Sequence, residues 1–210
     1  MLFDLDGTLA DSLADITAST NVCLAEAGLP THDESSVRGF VGHGIAGLVE
    51  RALGPHATPQ RVTDLLIAIR AHYREHCTEH TRLYPGIAAM LDRLGTRGIA
   101  MAVVSNKPDD MTQRVVETLM PEIAFGFVTG ERDAIPRKPS PIGILTACHA
   151  LGVAPSAALY VGDTTVDIEG ARAAGVPSVG VAWGFRNPDT LRAAGADHLV
   201  EHPDELLLLV

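Results

Sequence analysis

Met1-Leu2-Phe3-Asp4-Leu5-Asp6-Gly7-Thr8-Leu9-Ala10-Asp11-Ser12 opens the chain, and its reading decides the fold. Apolar residues run straight into two carboxylates spaced i, i+2. On a strand that spacing shares one face, so Asp4 and Asp6 are expected to converge. Gly7-Thr8 breaks the strand and supplies turn chemistry. Asp11 or Ser12 then caps a helix that runs through Ile16, Val22 and Leu24. Carboxylates just outside the carboxyl end of a strand hold the usual place of an α/β active site. The apolar run before Asp4 is short against a strand of about five to six residues. The expectation is therefore either a true start upstream of Met1 or a truncated strand.

Downstream of Ser12 the pattern is helical as far as about residue 82. Segments are expected over Ser12–Ala27, from Asp33-Glu34 to near Gly39, over Ile45–Leu53, and from Pro59 to about His80. Tyr84-Pro85-Gly86 leads back, and from there strands alternate with helices. Strands are expected at Ile99–Val104, Phe125–Val128, Ala158–Val161, Ser178–Val181 and His198–Val200. Helices are expected at Ile87–Leu94, Asp109–Leu119, Pro139–Leu151, Val166–Ala174, Thr190–Ala194 and Asp204–Leu209. Repeated β-α units with short apolar strands predict a Rossmann-like, doubly wound parallel sheet. The helix-only block reads as an inserted all-helical domain over residues 12–83. Residues 1–11 and 84–210 form the α/β core.

Composition narrows the function. The chain is 46% hydrophobic and 20% charged, so it can bury a proper core. A net charge of −10 argues against nonspecific binding to nucleic acid or to an anionic membrane. Cys23, Cys77 and Cys148 stand far apart in no metal or redox spacing, which fits a reduced, cytoplasmic setting. No early apolar stretch reads as a signal peptide and no run is long enough to span a membrane. The sequence leaves monomer or homodimer open.

The polar residues that stand out all follow strands. Ser105-Asn106-Lys107 follows Ile99–Val104, and Gly162-Asp163-Thr164-Thr165-Val166-Asp167 follows Ala158–Val161. Parallel strands share one rim at their carboxyl ends, so Asp4, Asp6, Ser105, Asp163 and Asp167 are expected to gather there. Lys138 is placed to reach the same rim. Four close carboxylates against one lysine call for a counter-ion. Mg²⁺, a hard cation that takes carboxylates, waters and phosphate, suits the set. One carboxylate can then attack phosphorus, and another, two residues on, can serve as acid and base.

Asp4-Leu5-Asp6-Gly7-Thr8, Ser105 after an apolar strand, Lys138-Pro139, and Gly162–Asp167 resemble the four motifs of the haloacid dehalogenase superfamily, in family order across the whole chain. The resemblance implies a helical cap inserted after the first motif. It makes Asp4 the nucleophile and Asp6 the general acid and base. Ser105 and Lys138 would bind phosphate and support the nucleophile. Asp4, the backbone carbonyl of Asp6, and Asp163 would hold Mg²⁺, with Asp167 aiding. Asp6 is absent from the dehalogenase branch, so its presence favours phosphate ester hydrolysis. Arg38-Gly39-Phe40-Val41-Gly42-His43-Gly44, Tyr84-Pro85-Gly86 and Ala194-Gly195-Ala196-Asp197 resemble the phosphoglycolate phosphatases.

That resemblance makes a small phosphorylated metabolite the expected partner, 2-phosphoglycolate first. Asn106, Arg38, Gly42 and His43 join Ser105 and Lys138 as candidate substrate contacts, with Arg38 meeting a carboxylate. A phosphosugar mutase, or a phosphatase for another small ester or for pyrophosphate, is the alternative within the superfamily. A phospho-receiver module is the alternative outside it. Lys107 reads as a rim charge. His72, His76 and His80, at i, i+4, i+8, read as a solvated helix face. Trp183 is expected to pack on the core.

Overall fold

The computed structural model describes residues 1–210. Strand β1 is Leu2–Phe3 and strand β2 is Ala10–Asp11. Four helices follow: α1 Leu13–Glu26, α2 Glu34–Phe40, α3 Gly44–Leu53 and α4 Pro59–His76. Then come β3 Arg82–Leu83, α5 Ile87–Thr96, β4 Ala102–Pro108, α6 Asp109–Leu119 and β5 Phe127–Glu131. The chain ends with α7 Ile142–Ala150, β6 Tyr160–Gly162, α8 Thr165–Ala174, β7 Ser178–Val181, α9 Pro188–Ala194 and β8 His198–Val200. Asp204–Leu209, expected as an α-helix, is a 3-10 helix over Pro203–Leu208.

Six strands form one parallel sheet in the order β5-β4-β1-β6-β7-β8. The chain leaves β1, fills one side with β4 and β5, then crosses to the other with β6, β7 and β8. The strand order therefore reverses at β1, where open α/β sheets bind their ligands. Leu2 and Phe3 are fully buried, as a strand covered on both faces requires. One face of the sheet carries α7 and α8 over Leu2, Val104, Ile144, Tyr160 and Ala171. The other belongs to a larger apolar cluster that runs from Phe3 and Val103 through Leu9 and Leu13 into Leu48, Leu65 and Ile69 of the helical block.

Several boundaries differ from the sequence reading for identifiable reasons. The strand expected at Ile99–Val104 runs on through Ser105-Asn106-Lys107 to Pro108, and every residue of β4 is buried. Its pairing with β5 shifts register between Val104 and Pro108. Such an irregularity re-aims side chains beside a site. Helix α4 stops at His76, so His80 leaves the expected face and lies 2.9 Å from Asp15 instead. The helical reading also passed over an antiparallel ribbon. Ala10 pairs with Leu83 and Asp11 with Arg82 as β2 and β3, so the helical block leaves and rejoins the chain at one place.

Asp15 ties that junction together. Its buried carboxylate accepts from the backbone N–H groups of His80 and Thr81 at 2.9 and 2.8 Å, and from the Thr81 hydroxyl at 2.7 Å. Burial works against its charge, but the bonds from Thr81 and His80 outweigh it and hold the carboxyl below its usual 3.8. Asp15→Ala leaves those donors unpaired and is expected to cost about 2–4 kcal/mol, read as a lower urea midpoint. A depressed carboxyl contributes stability above its unfolded value, and that stability is lost as pH falls through the folded one. The gap between wild type and variant should therefore close below pH 3.8; an unchanged gap in acid would assign the loss to packing alone.

Candidate active site

Strand β1 ends at Phe3, so Asp4 is the first residue beyond it and lies between the ends of β4 and β6. The expectation that Asp4 and Asp6 share a strand face needs correcting. The Leu5 carbonyl accepts from the N–H groups of Thr8, Leu9 and Ala10, at 3.3, 3.0 and 2.9 Å, which rolls residues 5–10 into a tight turn. That turn sends the two carboxylates to different partners. Asp4 faces Lys138, with Nζ 2.8 Å from its Oδ1. Asp6 faces Lys107, whose Nζ donates to its two oxygens at 2.9 and 3.2 Å.

Asp4, Asp163 and Asp167 come together, each buried, with one carboxylate oxygen of each within 4.8 Å of the others. Asp163 follows β6, where Thr8 Oγ1 donates to it at 3.1 Å and the Phe185 N–H at 2.8 Å. Asp167 opens α8 in a capping box with Thr164, whose N–H and hydroxyl donate to it at 2.9 and 2.6 Å. Lys138 Nζ donates to Asp167 at 2.7 Å, to the Tyr160 hydroxyl at 2.8 Å and to the Val104 carbonyl at 3.0 Å. Its three protons are thereby committed. The lysine supplies a fixed positive charge beneath the nucleophile candidate and has no free donor for phosphate.

The electrostatics follow from that crowding. Burial, then the negative charges of Asp167 and Asp6, push the Asp4 carboxyl up to about 7 against the pull of Lys138. Burial, then Asp167 and Asp4, carry Asp163 well above the carboxylate range. Desolvation works against Lys138, but Asp167 and Asp4 hold it protonated. Carboxylates packed this closely cannot all ionise alone. Asp4 Oδ1 has no hydrogen-bond donor: Lys138 lies near it as a charge, off the line of a bond. Glycine at 7 and 184 keeps space beside Asp163, where any side chain would overlap its carboxyl, and Gly7 also needs a φ of +87°. An orphaned buried oxygen, three hard oxygen ligands and a cleared space fit a divalent cation.

A pocket opens in front of Asp4 and Asp6. Ser105, Asn106 and Lys107 line it from β4, and Ile16, Val41, Gly42, Leu48, Ile69 and Tyr73 from the helical block. Ser105 is thus at the wall as expected. Asn106 is there too, but its amide is occupied: it donates to the carbonyls of Gly42 and Lys138 and accepts from the Lys138 N–H. Arg38 and His43 lie outside the pocket. Arg38 reaches the Gly184 carbonyl at 3.4 Å over the Phe185 ring, and His43 meets Arg51 at 3.2 Å. Arg186 and Arg137, from the sheet side, hold the carbonyls of Arg38, Gly39, Val41 and His43, so the end of α2 and the residues that follow it are fastened over the site.

Sequence reasoning missed two residues. Lys107, read as a rim charge, is buried and bonded to Asp6 and to the Tyr73 hydroxyl. Its strand position was hidden because Ser-Asn-Lys-Pro carries no strand signal. Tyr73 sits among helical positions with nothing to separate it from core. Trp183 packs as expected, with its indole N–H on the Thr8 carbonyl at 2.9 Å. No helix is long and apolar enough to cross a membrane.

Comparison with known proteins agrees with this architecture. The family model for haloacid dehalogenase-like hydrolases matches residues 1–181. An N-acetylmuramic acid 6-phosphate phosphatase from Pseudomonas aeruginosa is 36% identical over 99% of this chain and 92% of its own length. A phosphoglycolate phosphatase from Aquifex aeolicus is 33% identical over 100% of this chain and 95% of its own. A crystal structure from Lactobacillus delbrueckii subsp. bulgaricus, assigned to the phosphoglycolate phosphatases, superposes with a TM-score of 0.93 at 31% identity, covering 98% of this chain and 95% of that one. The chain belongs to the haloacid dehalogenase-like hydrolases and is a phosphomonoester hydrolase similar to the phosphoglycolate phosphatases.

Proposed function

We propose that the chain hydrolyses small phosphate monoesters, 2-phosphoglycolate first among them, through an aspartyl-phosphate on Asp4, in the cytoplasm and as a monomer or homodimer. The observation that carries the reading is the meeting of Asp4, Asp163, Asp167 and Lys138 at the strand-order reversal, with Asp6 on the adjoining pocket wall. Mg²⁺ held by Asp4, Asp163, Asp167 and the Asp6 carbonyl would offset charge on the transferring phosphoryl group. Residues 1–11 and 84–210 carry the chemistry, and residues 12–83 cover it.

An Asp4 oxygen attacks phosphorus as the bond from phosphorus to the ester oxygen breaks. Asp6 gives the leaving oxygen its proton. It then takes a proton from water, whose oxygen displaces the Asp4 carboxylate from phosphorus and releases phosphate. Lys138, fixed on three acceptors, keeps Asp4 in line. Ser105 offers its hydroxyl to the phosphoryl oxygens.

The walled pocket suits a short leaving group, and the relatives named for phosphoglycolate point the same way. A second reading, a larger sugar 6-phosphate, is favoured by the 36% identity to the N-acetylmuramic acid 6-phosphate phosphatase. Turnover of a panel of monoesters with Mg²⁺ decides between them. The expected order puts 2-phosphoglycolate first in kcat/KM. A sugar phosphate in first place supports the second reading, and no turnover of any ester contradicts both.

A further inference from the structure

The pocket wall carries two kinds of chemistry. Asp4 and Ser105 mark where the phosphoryl group belongs. The same wall holds Ile16, Leu48 and Ile69 with a polar pair, Lys107 and Tyr73. Lys107 is the only cation on the pocket wall. Its side chain is 1% exposed and is held by Asp6 from the sheet side and by the Tyr73 hydroxyl from helix α4. The Tyr73 oxygen accepts the Lys107 proton, which leaves its own hydrogen uncommitted. Thr20, the other hydroxyl on this wall, spends its hydrogen on the Ile16 carbonyl at 2.7 Å. An ammonium and an unspent phenol therefore stand beside Asp6, the group next to the leaving oxygen.

We infer that Lys107 and Tyr73 together bind an anionic group carried by the leaving alcohol, the carboxylate of a 2-phosphocarboxylate, and so set substrate choice. The inference rests on the phosphatase reading and deepens it. Asp6 and the Tyr73 oxygen take the three Lys107 protons while the pocket is free, so the substrate carboxylate would take its hydrogen bond from the Tyr73 hydroxyl and meet Lys107 as a charge. A buried ammonium beside apolar walls favours an anionic leaving group over a neutral one of the same size, because the neutral group cannot replace the interactions it displaces. This assigns to the β4 terminus and α4 the recognition that the sequence placed on Arg38. It also spans the junction between the sheet and the helical block, so the selective contact forms only when the two are closed together.

The test compares 2-phosphoglycolate with 2-hydroxyethyl phosphate, its neutral counterpart, in wild type, Tyr73→Phe, Lys107→Met and Arg38→Met, all with Mg²⁺. Wild type is expected to prefer the acid. Tyr73→Phe, which keeps the ring, and Lys107→Met should cut that preference by about ten- to a hundredfold in kcat/KM, mostly through a higher KM for the acid. Arg38→Met should leave the preference standing. Equal losses on both esters would make Lys107 and Tyr73 positioning residues for Asp6 and overturn the inference. A preference lost in Arg38→Met and kept in Tyr73→Phe overturns it too. Wild type inert toward both esters but active on a sugar phosphate overturns the inference and leaves the phosphatase reading standing, whereas inactivity on every ester fails that reading itself.

Discussion

Asp4→Asn is expected to abolish turnover in a protein that remains folded. A carboxamide does not form the acyl phosphate that the double displacement requires, and loss of a nucleophile of this kind removes about 10⁴-fold or more of the rate. The structural side is equally specific. Asp4 is buried among other carboxylates and its own carboxyl is pushed up to about 7. The folded protein therefore binds a proton there that the unfolded chain, at 3.8, has released. Stability from this group is present below 3.8 and is lost as pH rises through 7. The asparagine does not titrate, so the metal-free variant should match or exceed wild type in melting temperature at pH 8 and show a shallower fall between pH 4 and 8, the part due to Asp163 remaining. Labelling with radioactive phosphate should mark wild type and leave the variant blank. Wild-type rates in the variant would remove Asp4 from the mechanism.

Stripping divalent ions should have the second largest effect. EDTA is expected to stop hydrolysis and Mg²⁺ to restore it, because Asp4, Asp163 and Asp167 carry more negative charge than Lys138 offsets. Binding also reads out without catalysis. At a hundred times its dissociation constant the ion adds about 2.7 kcal/mol, or about 5–10 °C of melting temperature for a chain of this size. The ligands bind as carboxylates, so the gain should be larger at pH 8 than at pH 5. Asp163→Asn should lose most of it. Full activity after exhaustive EDTA treatment, with no thermal response to Mg²⁺, would contradict the assignment.

Much of this was legible in the chain before any coordinates. The strand-carboxylate-turn at the amino terminus and the alternation after Tyr84 led to the sheet, and polar residues after strands led to its rim. What failed was local. Helix and strand signals are periodic, but a two-residue ribbon such as Ala10–Asp11 against Arg82–Leu83 has no period to detect. Asp4 and Asp6 were placed on one face by counting along a strand that had already ended. The carbonyl of Leu5, taking three N–H groups, is a property of the fold and not of the residue type. Lys107 was misjudged because lysine is rarely buried; only the carboxylate brought to it from position 6 and the phenol from position 73 make its burial affordable.

The ribbon of β2 and β3 has a consequence for how such a protein diversifies. Asp11 and Arg82 stand opposite one another, so the stretch between them enters and leaves through a single doorway. Replacing it with another helical unit asks for two matched ends and a compatible apolar underside, and leaves Asp4, Asp6, Lys138 and Asp163, which lie outside that stretch, in the chain. Selectivity can thus be exchanged as a cassette while the engine beneath is inherited intact.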